Sequence, residues 1–464
     1  MTRRLRIIKG AGLLTLTEIV SRFFPLIIIR QTKDALGLEA FGEMAVLLAT
    51  IDILIQLIGP GYGTFAAISV AKNPTDSVHV SRVASLTVCI RAIHAAVILL
   101  LLIPLAGHLT GQNTGIVLGL TALSFTTVFD FDFLHTSLQK MNSYSALVFV
   151  SKITGFVLII TQVTAPADKF LYCALVLGTN SAMSLGTFFY HKKHIRWLRP
   201  DRPSLYAFAI ESLPFNLGMI TAGLVDRLDL LMVKKFFTDT AAGTYAIPLK
   251  LAQSITPLLL SVARVFFSEM LASDVDSRLI TKIVRTEVLL TLGVLIPICA
   301  ASYWTGPYVL NVIFAIDDPS YGILLALLTL SQSASCVIHI FGYQLLWRYQ
   351  QGQIVIRTMG FVLLSSIILG GLGAATFGLG IFGIPLGIIV AKLVAGVVLV
   401  KAAASYVDVL PSKELGVIIG SSAVMAAVIS QIKNPAIAIT CGLATYLFLQ
   451  AAYFALAKDH PLKR

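Results

Sequence analysis

IFGIPLGIIVAKLVAGVVLV, residues 381–400, holds a single charged residue, Lys392, among twenty. A helix needs roughly 20 mostly apolar residues to cross the hydrocarbon core of a bilayer, so this stretch predicts a membrane-spanning helix. Similar apolar runs occur at 92–107 and 288–302. The whole chain of 464 residues is 57% hydrophobic and 12% charged, whereas a soluble domain carries about a quarter charged residues. The sequence therefore predicts an all-α, polytopic membrane protein.

The apolar segments of sufficient length give a predicted count of about fourteen transmembrane helices. Twelve is the alternative count, because the last two segments are short. The predicted spans lie near 8–30, 41–66, 83–107, 115–137, 145–164, 169–190, 205–234, 242–268, 282–304, 321–346, 354–376, 380–403, 414–431 and 435–457.

The positive charge of the chain predicts its orientation. Thirty-five Lys and Arg residues against 23 Asp and Glu give a formal charge of +12. The loops after even-numbered spans are rich in Lys and Arg, most of all YHKKHIRWLRPDRPS at 190–204, whereas GHLTGQNT at 107–114 contains none. Cytoplasmic loops collect positive charge, so both termini are predicted to be cytoplasmic in a bacterial inner membrane. The excess charge is assigned to this bias, and no nucleic-acid partner is expected.

The basic segment divides the chain into predicted parts. Residues 1–190 form an N-terminal lobe of six spans, and 191–204 form a cytoplasmic linker. Residues 205–403 form a second lobe of six spans, and 404–464 hold two further helices and a basic tail.

An internal repeat relates the second spans of the two lobes. LGLEAFGEMAVLLATIDILIQLIG at 36–59 is similar in pattern to FTDTAAGTYAIPLKLAQSITPLLL at 237–260. In each, a polar turn and a glycine precede a long apolar helix. Lobes that start on the same side of the membrane predict a parallel repeat about the membrane normal. The paired positions are Gly42 with Gly243 and Lys33 with Lys234.

Charged residues inside the spans are the candidates for function. LVDRLDLLMVKKFF at 224–237 places two aspartates and an arginine among apolar residues. A charged side chain near the bilayer centre costs at least about 2.5–3.5 kcal/mol, so such residues usually face a cavity or a partner. One interpretation is that they pair with each other and hold helices together; the other is that they line a wet cavity. The acidic candidates for ion coupling are Glu18, Asp52, Asp132, Asp226 and Asp229.

Motifs of enzymes, cofactors and metals lead to simpler interpretations. HKKH at 191–194 is typical of a basic linker, and FDFDF at 129–133 lies inside an apolar span. GPGYG at 59–63 and the glycine-rich stretch at 371–387 favour helix packing over phosphate or cofactor binding. The sequence contains no ATP-binding motif. We therefore expect no enzyme activity, no catalytic residues, no cofactor and no metal site.

Several local motifs resemble those of the MOP superfamily, specifically the polysaccharide flippases of the O-antigen (Wzx-like) type. They are Leu36-Gly37 with Phe41-Gly42, the Asp226–Asp229 stretch, and AAGTYAIPLKLAQ at 241–253. The resemblance implies two pseudo-symmetric six-helix lobes around a central cavity that opens alternately to each side of the membrane. It also implies transport of an oligosaccharide linked to undecaprenyl pyrophosphate, for lipopolysaccharide O-antigen, capsule or exopolysaccharide.

The resemblance further implies a cationic cavity that holds the pyrophosphate. Arg22 and Lys250 match basic positions of the family, while Arg91, Lys152 and Arg264 are added because of their chemistry. The acidic residues depart from the family pattern and favour coupling to an H⁺ or Na⁺ gradient, or to the membrane potential. The expected partners are the lipid-linked oligosaccharide, membrane lipid, a polysaccharide polymerase and a chain-length regulator.

Two alternatives remain at this point. A multidrug or cation antiporter of the same superfamily should have an acidic cavity with few basic residues. A membrane-embedded polymerase or glycosyltransferase should have a sizeable extracytoplasmic loop with catalytic residues.

The orientation is testable by cysteine labelling of intact cells. In a cysteine-free variant, single cysteines at positions 111 and 196 are exposed to a membrane-impermeant thiol reagent. Labelling is expected at 111, because its loop faces outward, and at 196 only after the cells are permeabilised. Labelling of intact cells at 196 but not at 111 would reverse the topology.

Overall fold

The computed structural model of the protein describes residues 26–456, except for 139, 271–276, 350 and 408–411. Glu18 and Arg22 lie outside the described residues, as does the side chain of Arg264. The described part consists of helices joined by turns, without strands. The all-α, polytopic class predicted from the sequence is therefore confirmed.

The first helices are α1 (26–36), α2 (Leu38–Ile58), α3 (Pro60–Lys72), α4 (Ser77–Leu101), α5 (Ile103–Thr110), α6 (Thr114–Ser124), α7 (Asp132–Ser137), α8 (Met141–Gln162), α9 (Lys169–His191) and α10 (Arg202–Phe236). The remaining helices are α11 (Asp239–Met270), α12 (Ser277–Phe314), α13 (Ser320–Ile338), α14 (Gly352–Ala375), α15 (Gly383–Ala404), α16 (Ser412–Gln431) and α17 (Pro435–Leu456). A π-helical segment, His339–Leu346, continues α13.

Twelve helical segments of the described chain are long and apolar enough to cross a membrane. They correspond one to one to the predicted spans 2–7 and 9–14. Most of the predicted first span lies outside the described residues, and the predicted span at 242–268 falls in α11, a continuous helix of 32 residues. The total of fourteen remains a prediction.

Three predicted boundaries differ from the structure. The second span breaks at Gly59, whose φ of 109° ends α2, and Pro60 starts α3 because its missing N–H costs nothing at a helix start. The loop predicted at 305–320 is mostly helix, since α12 continues to Phe314. The fourth span, predicted as one helix, is interrupted between α6 and α7.

The chain divides into two compact units, one ending at Ala246 and the other starting at Ile247. The first unit therefore includes α10, which the sequence placed in a second lobe. The lobe boundaries at 190 and 204 remain a prediction.

Within the second unit, glycines bring α14 and α15 into close contact. A Cβ on Gly383 would lie 2.3 Å from the carbonyl carbon of Gly373, and one on Gly387 would lie 2.3 Å from the backbone N of Gly370. Without side chains at these positions, the two backbones touch. The packing interpretation of the glycine-rich stretch at 371–387 is confirmed. The helices α16 and α17 pack on α12, where the Tyr446 hydroxyl donates to the Gly293 carbonyl at 2.6 Å.

In the first unit, the two glycines paired by the repeat meet at a helix crossing. A Cβ on Gly42 would lie 2.0 Å from the carbonyl oxygen of Asp239, and one on Gly243 would lie 2.3 Å from that of Leu38. Each of these carbonyls belongs to the residue four before the opposite glycine. Such a reciprocal contact is expected of two elements related by a twofold axis, and it supports the repeat.

Replacing Gly42 by Ala should destabilise the purified protein, because the added methyl group overlaps the backbone of α11. Overpacking costs about 1–3 kcal/mol, which exceeds the roughly 0.5–1 kcal/mol that Ala gains over Gly in a helix. Gly119→Ala is the control, since a Cβ there meets nothing within 4 Å. Thermal melting in detergent should fall for Gly42→Ala and not for Gly119→Ala. Equal melting temperatures would contradict the crossing.

Candidate functional site

The charged segment at 224–237 is joined to α2 by an ion pair. The Arg227 Nε lies 3.3 Å from the Asp52 Oδ2, and its Nη1 donates to the Gly223 carbonyl at 3.3 Å. The two side chains are 28% and 33% exposed. One turn away, Gly223 leaves room for Gln56, since a Cβ there would lie 2.7 Å from the amide carbon of Gln56. The pair therefore lies in a polar seam between α2 and α10.

The other charges of this segment lie in different surroundings. Asp229 is buried and accepts a hydrogen bond from the Tyr245 hydroxyl at 3.2 Å. Asp226 is half-buried on the same helix. Lys234 pairs with Asp239 at the start of α11. For Asp52 and Lys234, the pairing interpretation of the charges describes the structure.

A second polar cluster surrounds the interruption of the fourth span. The α-helix gives way to a 3₁₀ turn over Phe125–Phe129, and Asp130 is extended, with a ψ of 116°. Non-helical backbone at membrane depth is tolerated only where the protein itself, or a wet cavity, satisfies its polar groups. Broken helices of this kind line the substrate and ion sites of many transporters.

The partners of this broken backbone come from α4 and α9. The Phe131 N–H donates to the Thr187 Oγ1 at 2.9 Å, and that hydroxyl lies 3.1 Å from the Asp130 carboxylate. The Arg91 Nη1 donates to the Asp130 carbonyl at 2.8 Å. These contacts replace the helical hydrogen bonds that the break removes.

Glycine in α3 makes room for this arginine. Arg91 is only 5% exposed, and a Cβ on Gly63 would lie 2.5 Å from its Nη2 and 3.8 Å from the Asp132 Oδ1. Arg91 and Asp132, one basic and one acidic candidate, are thus brought together. The Arg91 guanidinium stabilises the break in this structure, and its role in substrate binding remains a prediction.

Two of the other basic candidates have side chains that the structure describes. Lys152 on α8 donates from Nζ to the Asn180 Oδ1 on α9 at 2.8 Å. Lys250 is exposed on α11. Arg22 and the Arg264 side chain lie outside the described residues. The cationic cavity expected from the sequence therefore remains a prediction.

Two histidines near the linker pack against each other. His135 and His191 are buried with ring centroids 4.4 Å apart, and the His135 Nδ1 lies 3.3 Å from the Lys140 carbonyl. Among the residues that the structure describes, no three His, Cys, Asp or Glu side chains are grouped closely enough to hold a metal ion.

Two sets of polar contacts in the structure are not predicted by the sequence. The role of Arg227 does not follow from the sequence, because Asp52, its partner, lies 175 positions earlier in the chain. In the second unit, the buried Lys392 donates to the Ser331 hydroxyl at 3.2 Å, and the Thr256 hydroxyl donates to Gln332 at 3.2 Å. Lys392 could have been identified as a functional candidate from the sequence, since it is the single charge in the apolar span 381–400.

A family model described as "Polysaccharide biosynthesis protein" matches residues 7–267. No curated protein sequence matches the chain significantly.

Three solved structures share the fold at low sequence identity. The lipid II flippase MurJ in an inward closed conformation is 14% identical with a TM-score of 0.71, covering 97% of this chain and 99% of its own. An inward-facing multidrug resistance MATE family transporter of the MOP superfamily is 14% identical with a TM-score of 0.63, covering 87% and 98%. A MOP superfamily transporter from Pyrococcus furiosus is 15% identical with a TM-score of 0.59, covering 87% and 98%. The chain therefore has the fold that the resemblance implies.

The broken fourth span predicts a specific sensitivity at Thr187. In Thr187→Val, the buried Phe131 N–H loses its acceptor, and an unsatisfied buried group costs about 1–3 kcal/mol. Thr121→Val is the matched control, because the buried Thr121 hydroxyl only donates to the Val117 carbonyl of its own helix. The melting temperature of purified Thr187→Val should fall clearly below those of wild type and Thr121→Val. Equal losses in both variants would contradict this role.

Proposed function

The chain belongs to the polysaccharide biosynthesis protein family, and from that premise we propose that it is a flippase. Its substrate would be an oligosaccharide linked to undecaprenyl pyrophosphate, which it moves from the cytoplasmic to the outer leaflet of the inner membrane by alternating access. The product would supply assembly of O-antigen, capsule or exopolysaccharide.

The observation that carries this proposal is the partly exposed guanidinium of Arg227. Its Nε and Nη1 contact Asp52 and the Gly223 carbonyl, and within the described part of the chain its Nη2 makes no hydrogen bond. Three N–H donors, one on Nη1 and two on Nη2, therefore remain on a cation that is 28% exposed. Guanidinium suits phosphate oxygens because its planar donors bind two of them at once.

Asp52 should keep the affinity of Arg227 for phosphate modest, as transport requires. A guanidinium without a counter-ion would hold a pyrophosphate too tightly for release. Because Asp52 lies 3.3 Å from Nε and neutralises part of the charge, the remaining donors attract a phosphate less strongly than an unpaired guanidinium would. Modest affinity leaves the lipid able to dissociate on the far side.

The chemistry of the substrate fits a protein of this composition. The polyprenyl tail is soluble in hydrocarbon, so only the charged head group needs a polar path. The energy would come from the membrane potential, worth about 2.3 kcal/mol per charge per 100 mV, or from a coupled cation. No covalent step is part of this proposal, and the expected partners are a polymerase and a chain-length regulator.

The test is complementation of a strain that lacks its O-antigen flippase. Arg227→Ala should reduce surface polysaccharide at least roughly tenfold, because a hydrogen bond to a charged group contributes about 1.5–3 kcal/mol. Arg227→Lys should retain partial activity, since it keeps the charge and loses the planar donors. Arg357→Ala, which removes an exposed arginine of α14, is the control and should complement fully.

Protein level separates a transport defect from a folding defect. The double variant Asp52→Asn with Arg227→Gln leaves no unpaired charge in the seam, so it should accumulate normally and remain inactive. Full complementation by Arg227→Ala would remove this residue from the substrate path.

A further inference from the structure

Glu287 on α12 is a buried carboxyl group whose surroundings differ from those of the acidic residues discussed above. Its side chain is 1% exposed. Neither carboxylate oxygen makes a hydrogen bond within the described part of the chain. The amide of Gln344, itself 2% exposed, lies beside the carboxyl group. Neither polar atom of that amide makes a hydrogen bond of ordinary geometry there.

Other carboxyl groups of the spans have polar partners that Glu287 lacks among the described residues. Asp52 pairs with Arg227, Asp130 lies within hydrogen-bonding distance of the Thr187 hydroxyl, and Asp229 accepts from Tyr245. Each of these acids has a partner that stabilises it where it lies. Among the described residues, the four polar side-chain atoms of Glu287 and Gln344 have no hydrogen-bond partner of ordinary geometry.

The backbone that carries Gln344 is itself unusual. Gln344 lies in the π-helical segment His339–Leu346, which packs against α12 in the second unit. A π-helix inserts an extra residue into a helical turn, and such segments occur frequently at functional sites. In this segment the Gln344 amide lies beside Glu287. All residues from Ile340 to Leu346 are buried.

Within the part of the chain that the structure describes, the Glu287 carboxyl group has no ion-pair partner. The charged and titratable groups on α12 and on the elements packed against α12 or the π-helical segment are Arg278, Lys282, Arg285, Cys299, Tyr303, Tyr308, Tyr321, Cys336, His339, Tyr343, Arg357, Lys392, Lys401, Lys413, Glu414, Cys441, Tyr446 and Tyr453. An unpaired buried carboxylate is so costly that the group becomes neutral instead.

We propose that Glu287 is a proton-binding site and that its proton is exchanged during transport. The neutral acid donates its O–H to the Gln344 amide oxygen, and the amide N–H₂ faces the other carboxyl oxygen, so that all four polar atoms gain partners. The acid releases the proton when the site opens to water and takes one up before it closes. The proton site stands on the geometry alone, whereas its coupling to transport rests on the proposed flippase function.

Infrared spectroscopy of the purified full chain tests the proton site. At neutral pH the wild type should show the C=O stretch of a protonated carboxylic acid that is missing in Glu287→Gln. Glu211→Gln, which neutralises an exposed glutamate of α10, should leave this band in place. If the wild type and Glu287→Gln have the same spectrum in this region, the proposal is wrong.

Two further measurements secure the assignment. Gln344→Leu removes the acceptor of the O–H group, so the band should shift and not vanish, which also covers the case that Glu287→Gln does not fold. An unshifted band would overturn the proposed pair. The band should be the same in sodium chloride and choline chloride at constant pH. Its loss in sodium alone would mean that the occupant is a sodium ion and not a proton.

Coupling is tested in the complementation assay. Glu287→Gln, at normal protein level, should lose surface polysaccharide, whereas Glu211→Gln should behave like wild type. Normal activity of Glu287→Gln would disprove coupling while the spectra still decide the proton site. Failure of the wild type itself to complement would count against the flippase function and would leave the infrared result unaffected.

Discussion

A polar group at membrane depth must find its partner inside the protein, because hydrocarbon offers none. This constraint accounts for much of the arrangement in the first unit. The interrupted fourth span exists only because Thr187 and Arg91 take over the hydrogen bonds of Phe131 and Asp130. The glycine at position 63 is required in turn, since any side chain there would displace the Arg91 guanidinium. One break in a helix thus fixes residue types on three other helices.

Glycines provide the close packing between helices. Where Gly42 meets Gly243, two backbones come close enough that a methyl group would overlap a carbonyl oxygen. Van der Waals packing of this kind drives helix association in lipid, where the hydrophobic effect is absent. The crossing also joins the two elements that the repeat relates. The reciprocal geometry explains why both copies keep a glycine at this position, although the rest of the two segments differs.

The spans were predictable from the sequence because their signal is local: about twenty apolar residues form a helix whatever surrounds them. Pairings between spans were not predictable, since they depend on residues far apart in the chain. Asp52 and Arg227 are 175 positions apart, and Phe131 and Thr187 are 56 apart. The pattern of FDFDF is compatible with an apolar helix. The break is visible only from the distant side chains that hydrogen-bond to its backbone, Thr187 and Arg91. The basic candidates Arg22 and Arg264 stay predictions for a different reason, since their side chains lie outside the described residues.

The burial of Glu287 depends on tertiary contacts that the pattern of its span does not reveal. The ninth span was predicted to begin at residue 282, which places Glu287 near the membrane surface, where an acid needs no explanation. The structure starts α12 at Ser277, so Glu287 lies ten residues into the helix, roughly 15 Å along its axis. Its side chain is 1% exposed, and within the described residues it has no ion-pair partner. The π-helical turn that presents Gln344 could not be predicted either, because its sequence, HIFGYQLL, has the pattern of any apolar helix. The tertiary surroundings of a carboxyl group therefore decide whether it is an interfacial residue or a candidate for carrying a proton.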